Sequence, residues 1–375
     1  MEDVALVDFR KEYETEFAVF GVFDGHGGKQ ASRFAKAHLM NFIKQESDFW
    51  SSKPERICKA IHNGFIACHE AMRRKLADWP KTVLGHPCTA GTTASIAIIR
   101  GPKLYIASCG DSGIVMGYEK MNEGSSSSED SESNDRKNRA KMNNGSTNLQ
   151  FGQTSIFGEQ RQTGPAYSST STTNSKHNYY YRELTTDHKP ESLTEKRRIE
   201  SAGGNVAIKN GVNRVIWNRP RLNNQQNYNR YNSSHSTKTE YDRIPFLAVA
   251  RSLGDLWSYS PETEEFVVSP VPDIDVIDLS KSRANGEKPR FLVVASDGVW
   301  NMIRPWDAVH RVATFYDRKE AGKTEGSPAH DLVRDALTRW RLRGLRADNT
   351  TAVVIWLDRV PGKNEGTESL GTSLF

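Results

Sequence analysis

Phe17-Ala18-Val19-Phe20-Gly21-Val22-Phe23-Asp24-Gly25-His26-Gly27-Gly28 is the stretch that decides how this chain reads. An unbroken apolar run leads into an aspartate, a histidine and three glycines. A short continuous apolar run is the signature of a buried strand. Its tip presents a carboxylate beside bare backbone, which suits a metal ion and a small anionic ligand. Three further Asp-Gly or Asp-Asn elements stand beside strand-like runs downstream: Cys109-Gly110-Asp111-Ser112-Gly113, Ala295-Ser296-Asp297-Gly298 and Arg346-Ala347-Asp348-Asn349-Thr350.

Working outward, the spacing of Ala31, Phe34, Ala35, Leu39, Phe42 and Ile43 predicts a helix after the glycines. Pro54 opens a second helix, with Ile57, Ile61, Phe65, Cys68, Met72 and Leu76 at steps of three and four. Strand-like runs at 92–99, 104–107 and 114–118 are separated by glycines and Pro102, as in an antiparallel meander. Residues 120–177 then turn to Ser, Asn, Thr, Gln and Gly, including an acidic serine-rich run at 125–133. Such a stretch buries too little apolar surface to offset its ordering entropy, and reads as a disordered insertion within one domain. Order resumes near Tyr181, and a short helix at 193–201 stops at Gly203-Gly204. A polar and basic loop occupies about 217–243. Strands are expected at 244–250, 266–268, 290–295 and 351–357, with one late helix at 331–343. Asp255 reads as either a ligand-region residue or a turn former, the turn being favoured. Residues 359–375 read as a disordered tail after a domain spanning 1–358. Many antiparallel strands with few helices favour an α+β layered domain over βαβ winding.

With 375 residues there is ample material for a core, while a hydrophobic content of 36% agrees with a partly disordered chain. The net charge of +5 fits an anionic substrate but is too small to argue for nucleic acid. The four cysteines show no Cys-x-x-Cys or Cys/His metal spacing and read as reduced thiols of an intracellular protein. No run approaches the roughly 18 apolar residues of a membrane span, and no signal-peptide pattern opens the chain. No Cys-x5-Arg motif is present, which argues against a phosphocysteine intermediate.

Carboxylates without a matching His/Cys set favour magnesium or manganese over zinc. Carboxylates on separate strands can hold two such ions about 4 Å apart, which activate water and stabilise phosphoryl oxygens. The ordered set Met1-Glu2-Asp3, Asp24-Gly25-His26-Gly27-Gly28, Gly91-Thr92-Thr93-Ala94, Gly110-Asp111-Ser112-Gly113, Leu253-Gly254-Asp255, Ser296-Asp297-Gly298 and Ala347-Asp348-Asn349 resembles the metal-dependent (PPM, type 2C) protein Ser/Thr phosphatases. Trp79-Pro80-Lys81-Thr82, Arg219-Pro220-Arg221-Leu222 and Ala336-Leu337-Thr338-Arg339-Trp340 are most like the delta-type member, the one induced by DNA damage.

The resemblance implies a four-layer αββα sandwich of two antiparallel sheets flanked by helices, with the metal site between the sheets. It implies two Mg2+ or Mn2+ ions, Asp24 bridging them and the Gly25 carbonyl on one. Asp297 and Asp348 would serve the second ion, and Glu2 and Asp3 would act through water. Asp111 with Asp297 matches the place of a third, weaker ion. His26 falls on the position of the general acid that protonates the leaving Ser or Thr oxygen, and its ordinary pKa of about 6.5 suits that task. Arg219 and Arg221 match a basic loop that reads a second phosphate. Phosphorylated proteins would be the partners of a monomeric, nuclear or cytoplasmic enzyme, with neither nucleic acid nor membrane. The family carries a strand and a phosphate-binding Arg just before Met-Glu-Asp, and this sequence begins at Met1. An exposed sheet edge, a weaker hold on phosphate and a brief turn at 9–16 are the expectations there. The rival readings are a catalytically impaired scaffold and a metal-dependent nuclease.

Overall fold

In the computed structural model, which describes residues 1–120, 178–220, 241–281, 286–323, 325–357 and 372–374, the opening run lies in a hairpin. Its strands are β1 (Val4–Glu12) and β2 (Thr15–Phe23), paired from Val4↔Phe23 to Glu12↔Thr15. The turn expected at 9–16 is therefore confined to Tyr13 and Glu14, whose φ values of 48° and 60° form the left-handed pair of a tight hairpin. The charges of 10–16 hid β1 because it is the edge strand of its sheet, where polar residues face water. The expected insertion beyond residue 120, most of the expected tail, and Arg221 lie outside the described residues.

Two early helices follow, α1 (Gln30–Gln45) and α2 (Pro54–Lys75). Next come β3 (Ala94–Arg100), β4 (Lys103–Cys109), β5 (Gly113–Lys120), β6 (Asn178–Glu183), α3 (Leu193–Ser201), β7 (Val206–Lys209), β8 (Val212–Pro220) and β9 (Tyr241–Leu247). The last elements are β10 (Asp273–Asp278), β11 (Glu287–Ala295), α4 (Asp297–Trp300), α5 (Pro305–Glu320), α6 (Pro328–Leu342), β12 (Ala352–Trp356) and β13 (Thr372–Leu374). One antiparallel sheet runs β1-β2-β3-β4-β10 and the other β13-β12-β11-β5-β6.

The two faces of β2 explain its unbroken apolar sequence. Phe17, Val19 and Phe23 pack with Ala35, Leu39, Ile61 and Phe65 of α1 and α2. Ala18, Phe20 and Val22 face Ile114, Met116, Leu292, Val294 and Val353 of the opposite sheet. A strand buried on both sides has no polar face to alternate with. Each fully buried Phe contributes about 1.5–3 kcal/mol. On the far side of the second sheet, Val293, Ala295 and Val354 pack with Val309, Val312, Leu332 and Ala336 of α5 and α6. The layers are thus helices, sheet, sheet, helices, as the resemblance implied.

The expectation of one late helix is corrected: α5 precedes α6. Its start signal is legible, with Pro305 in the first turn and Asp307 beside it. Its β-branched Val309 and Val312 and aromatic Phe315 weaken the helical propensity, and burial against the sheet overrides it. The ends of the loop expected at 217–243 are strands, since β8 and β9 pair with each other and β8 also pairs with β7 in a separate three-stranded sheet.

A candidate metal and phosphate site at the strand tips

Asp24 follows β2 in the first sheet, and Asp297 follows β11 in the second as the first residue of α4. Both sheets therefore deliver a carboxylate to the same end of the sandwich. The Gly91-Thr92-Thr93 motif fixes the first one. The Asp24 amide donates to Thr93 Oγ1 at 3.1 Å, the Thr93 amide donates to the Asp24 carbonyl at 2.9 Å, and Thr92 Oγ1 donates to that carbonyl at 3.1 Å. Thr93 Oγ1 also meets Ser112 Oγ at 2.7 Å, which ties the tip to the 110–113 turn that carries Asp111. A side chain at Gly25 would strike the Glu2 carbonyl, so glycine there lets Glu2 and Asp3 lie against the tip. At Gly298 it would strike the Asn349 carbonyl, so that glycine lets the Asp348-Asn349 loop approach α4.

The carboxylates crowd one another. Burial raises the Asp24 pKa well above the ordinary value, and the negative charges of Asp3 and Asp297 raise it further. Asp297 is pushed up to about 7, first by burial and then by repulsion from Asp111 and Asp348. Asp3 is 4% exposed and raised by burial; its Oδ2 accepts from Thr351 Oγ1 at 2.9 Å, while its Oδ1 is buried without a donor. Asp111, 5% exposed, is in contact with the Lys189 ammonium. Surplus buried negative charge, hard oxygen donors and an orphaned Asp3 oxygen fit divalent cations. Among the described residues, no three His, Cys, Asp or Glu side chains stand as a ready-made metal cluster.

His26 forms a pair that the sequence did not disclose. Its Nε2 lies 2.7 Å from Asp255 Oδ2, and Asp255 is fully buried. Asp255 does turn the chain, with φ of 49°, but its side chain also accepts from Ser252 Oγ and, at 2.8 Å, from Trp257 Nε1. A side chain at Gly91 would occupy the space of this pair. Burial pulls the His26 pKa down, the Asp255 carboxylate pulls it up, and the net shift is upward from 6.5. The sequence signals were the Leu253-Gly254-Asp255 motif and the polar Arg251, Ser252 and Asp255 that follow the apolar run 244–250.

The structure thus brings Asp3, Asp111 and Asp297 within electrostatic reach of Asp24, and Asp348 within reach of Asp3 and Asp297. Asp348 itself is exposed. The site also includes Asp187, which burial and Asp111 push up to about 6, and Lys189, both from a segment read only as resumed order. Arg219 lies on β8, its Nη2 3.1 Å from Asp242 Oδ2. All four cysteines are free, and no described helix is long and apolar enough to cross a membrane.

Residues 1–153 and 171–340 match the family model of protein phosphatase 2C. Protein phosphatase 2C homolog 2 of Hypocrea jecorina is 26% identical over 352 residues, covering 92% of this chain and 55% of its own length. Probable protein phosphatase 2C 27 of Arabidopsis thaliana is 27% identical, covering 90% and 58%. The chain thus spans little more than half the length of these relatives. A solved serine-threonine phosphatase 2C from Toxoplasma gondii superposes with a TM-score of 0.56 at 19% identity over 94% of each chain, a likeness of fold. A C. elegans sex determining protein gives 0.55 at 19% identity over 96% of this chain and 62% of its own.

Proposed function

The chain belongs to the protein phosphatase 2C family, and on that premise we propose that it hydrolyses phosphoserine and phosphothreonine in proteins with Mg2+ or Mn2+. The observation that carries this reading is the gathering of buried and half-buried, mutually repelling carboxylates from both sheets at one end of the sandwich. Asp24, the Gly25 carbonyl, Asp297 and Asp348 would hold two ions, with Glu2 and Asp3 acting through water and Asp111 serving a third with Asp297. When bound, the ions would supply the charge that activates a water and neutralises phosphoryl oxygens.

The chain's own residues supply the rest. Asp255 holds His26 through Nε2, so Nδ1 is the nitrogen left to protonate the departing Ser or Thr oxygen. The upward shift of its pKa keeps more of the acid form near neutral pH. Thr92 and Thr93 lock the backbone of Asp24, so its carboxylate needs little reordering when a substrate arrives. Likeness to the delta-type member supports Arg219 and Arg221 as readers of a second phosphate, and nuclear or cytoplasmic action as a monomer.

The test is phosphate release from a phosphothreonine peptide in manganese and in chelator, beside single-stranded nucleic acid under the same conditions. Manganese-dependent release with intact nucleic acid is the expected result. Nucleic-acid cleavage alone would replace this reading with a nuclease, and no turnover at all would leave a binding scaffold.

A further inference from the structure

The segment from α4 to α6 builds a cleft of about 510 Å³ beside the carboxylates, with Trp300, Asn301, Arg304, Trp306, Arg339 and Arg343 in its wall. Its one acidic lining residue, Asp307, is already taken: its carboxylate accepts from Arg311 Nε at 2.9 Å and from Arg339 Nη2 at 2.6 Å. Arg339 spends its Nε on Asp335 at 2.9 Å. Arg343 spends Nη1 on the Asn301 carbonyl at 3.4 Å and meets no carboxylate among the described residues. Arg304 is exposed, its guanidinium without a hydrogen bond or ion pair among the described residues, and Trp306 nearby is 51% exposed. The cleft therefore carries positive charge in excess of its acids, next to a large uncovered aromatic face.

Its position gives that charge a purpose. Asn301 Nδ2 donates to Asp297 Oδ2 at 3.2 Å, so one wall touches the carboxylate site directly. The other wall includes Arg343 at the end of α6, and exposed Arg346 follows it in the chain, two residues before Asp348. From this arrangement we infer that the cleft docks an acidic stretch of the phosphoprotein substrate, flanking the residue to be hydrolysed. Arg304 and Arg343 pair with its carboxylates, and Trp306 covers its backbone or an apolar side chain. A substrate so held is tethered beside the site, which lowers KM and leaves the chemistry unchanged. This inference rests on the hydrolytic reading given above.

The experiment compares phosphothreonine peptides carrying four Glu or four Gln on one flank, each flank in turn. The expected result is a KM about fivefold lower for the Glu peptide on one flank, the scale of two exposed charge pairs, with kcat unchanged. That advantage shrinks at high salt and disappears in the Arg304→Ala, Arg343→Ala double variant. Turnover of para-nitrophenyl phosphate stays the same in both proteins, showing an intact site. Fluorescence anisotropy of a labelled Glu-rich peptide without phosphate reads the cleft without any turnover. Binding lost in the double variant, with no hydrolysis of any peptide, would sink the proposed activity and leave the cleft standing. Equal KM for Glu and Gln, an advantage that survives in the double variant, or a labelled oligothymidine that binds where the Glu peptide does not would each overturn the inference.

Discussion

Asp297 shows most plainly what the site costs. Burial and the charges of Asp111 and Asp348 hold its pKa at about 7, against an ordinary 3.8. The unfolded chain loses this proton near pH 4, while the folded chain keeps it until about pH 7. Stability from this group is therefore full below the unfolded value and is lost as pH rises from about 4 to about 7. In chelator at pH 7.5, Asp297→Asn should be more stable than the natural chain by about 1–3 kcal/mol, a gap that closes toward pH 4. Saturating manganese should reverse the order, because only the natural carboxylate gains from the ion. Urea titrations in chelator and in manganese check both signs, and a less stable variant in chelator would contradict the account.

At the scale of elements, the three two-residue strands Gly25–His26, Gly91–Thr92 and Leu253–Gly254 form a small sheet that brings His26 to Asp255. No periodicity marks strands so short, which is why the turn was favoured for Asp255 while the aspartates beside long apolar runs stood out. The buried strands and α1, α2 and α6 were legible because packing makes their sequences periodic or continuous. β1, α5 and the ends of the basic loop were not, since an edge strand is polar and tertiary burial outweighed the propensities of α5. Arg219, read as part of a loop, sits on a strand with Asp242 opposite it. Asp255→Asn removes the charge that lifts the His26 pKa and leaves burial to depress it. The alkaline limb of the kcat/KM profile for a phosphothreonine peptide should then move to lower pH, with turnover down about 10–100-fold. An unmoved limb would show that Asp255 does not position the acid.

The whole molecule places a repelling set of carboxylates where two sheets end, and the sandwich supplies the rigidity that keeps them there. Phe20, Val22, Ile114 and Val294 fill the space between the sheets, so the strand tips cannot drift apart to relieve the repulsion. A proton on Asp297 relieves it below about pH 7 and bound cations relieve it above, which is the physical core of the proposed hydrolysis. The most direct test is phosphate release from a phosphothreonine peptide, across a manganese titration, by the natural chain and Asp297→Ala with folding checked by circular dichroism. Saturable, manganese-dependent turnover is expected in the natural chain, with at least about a hundredfold loss in the folded variant. Retained turnover by Asp297→Ala at saturating manganese would contradict it.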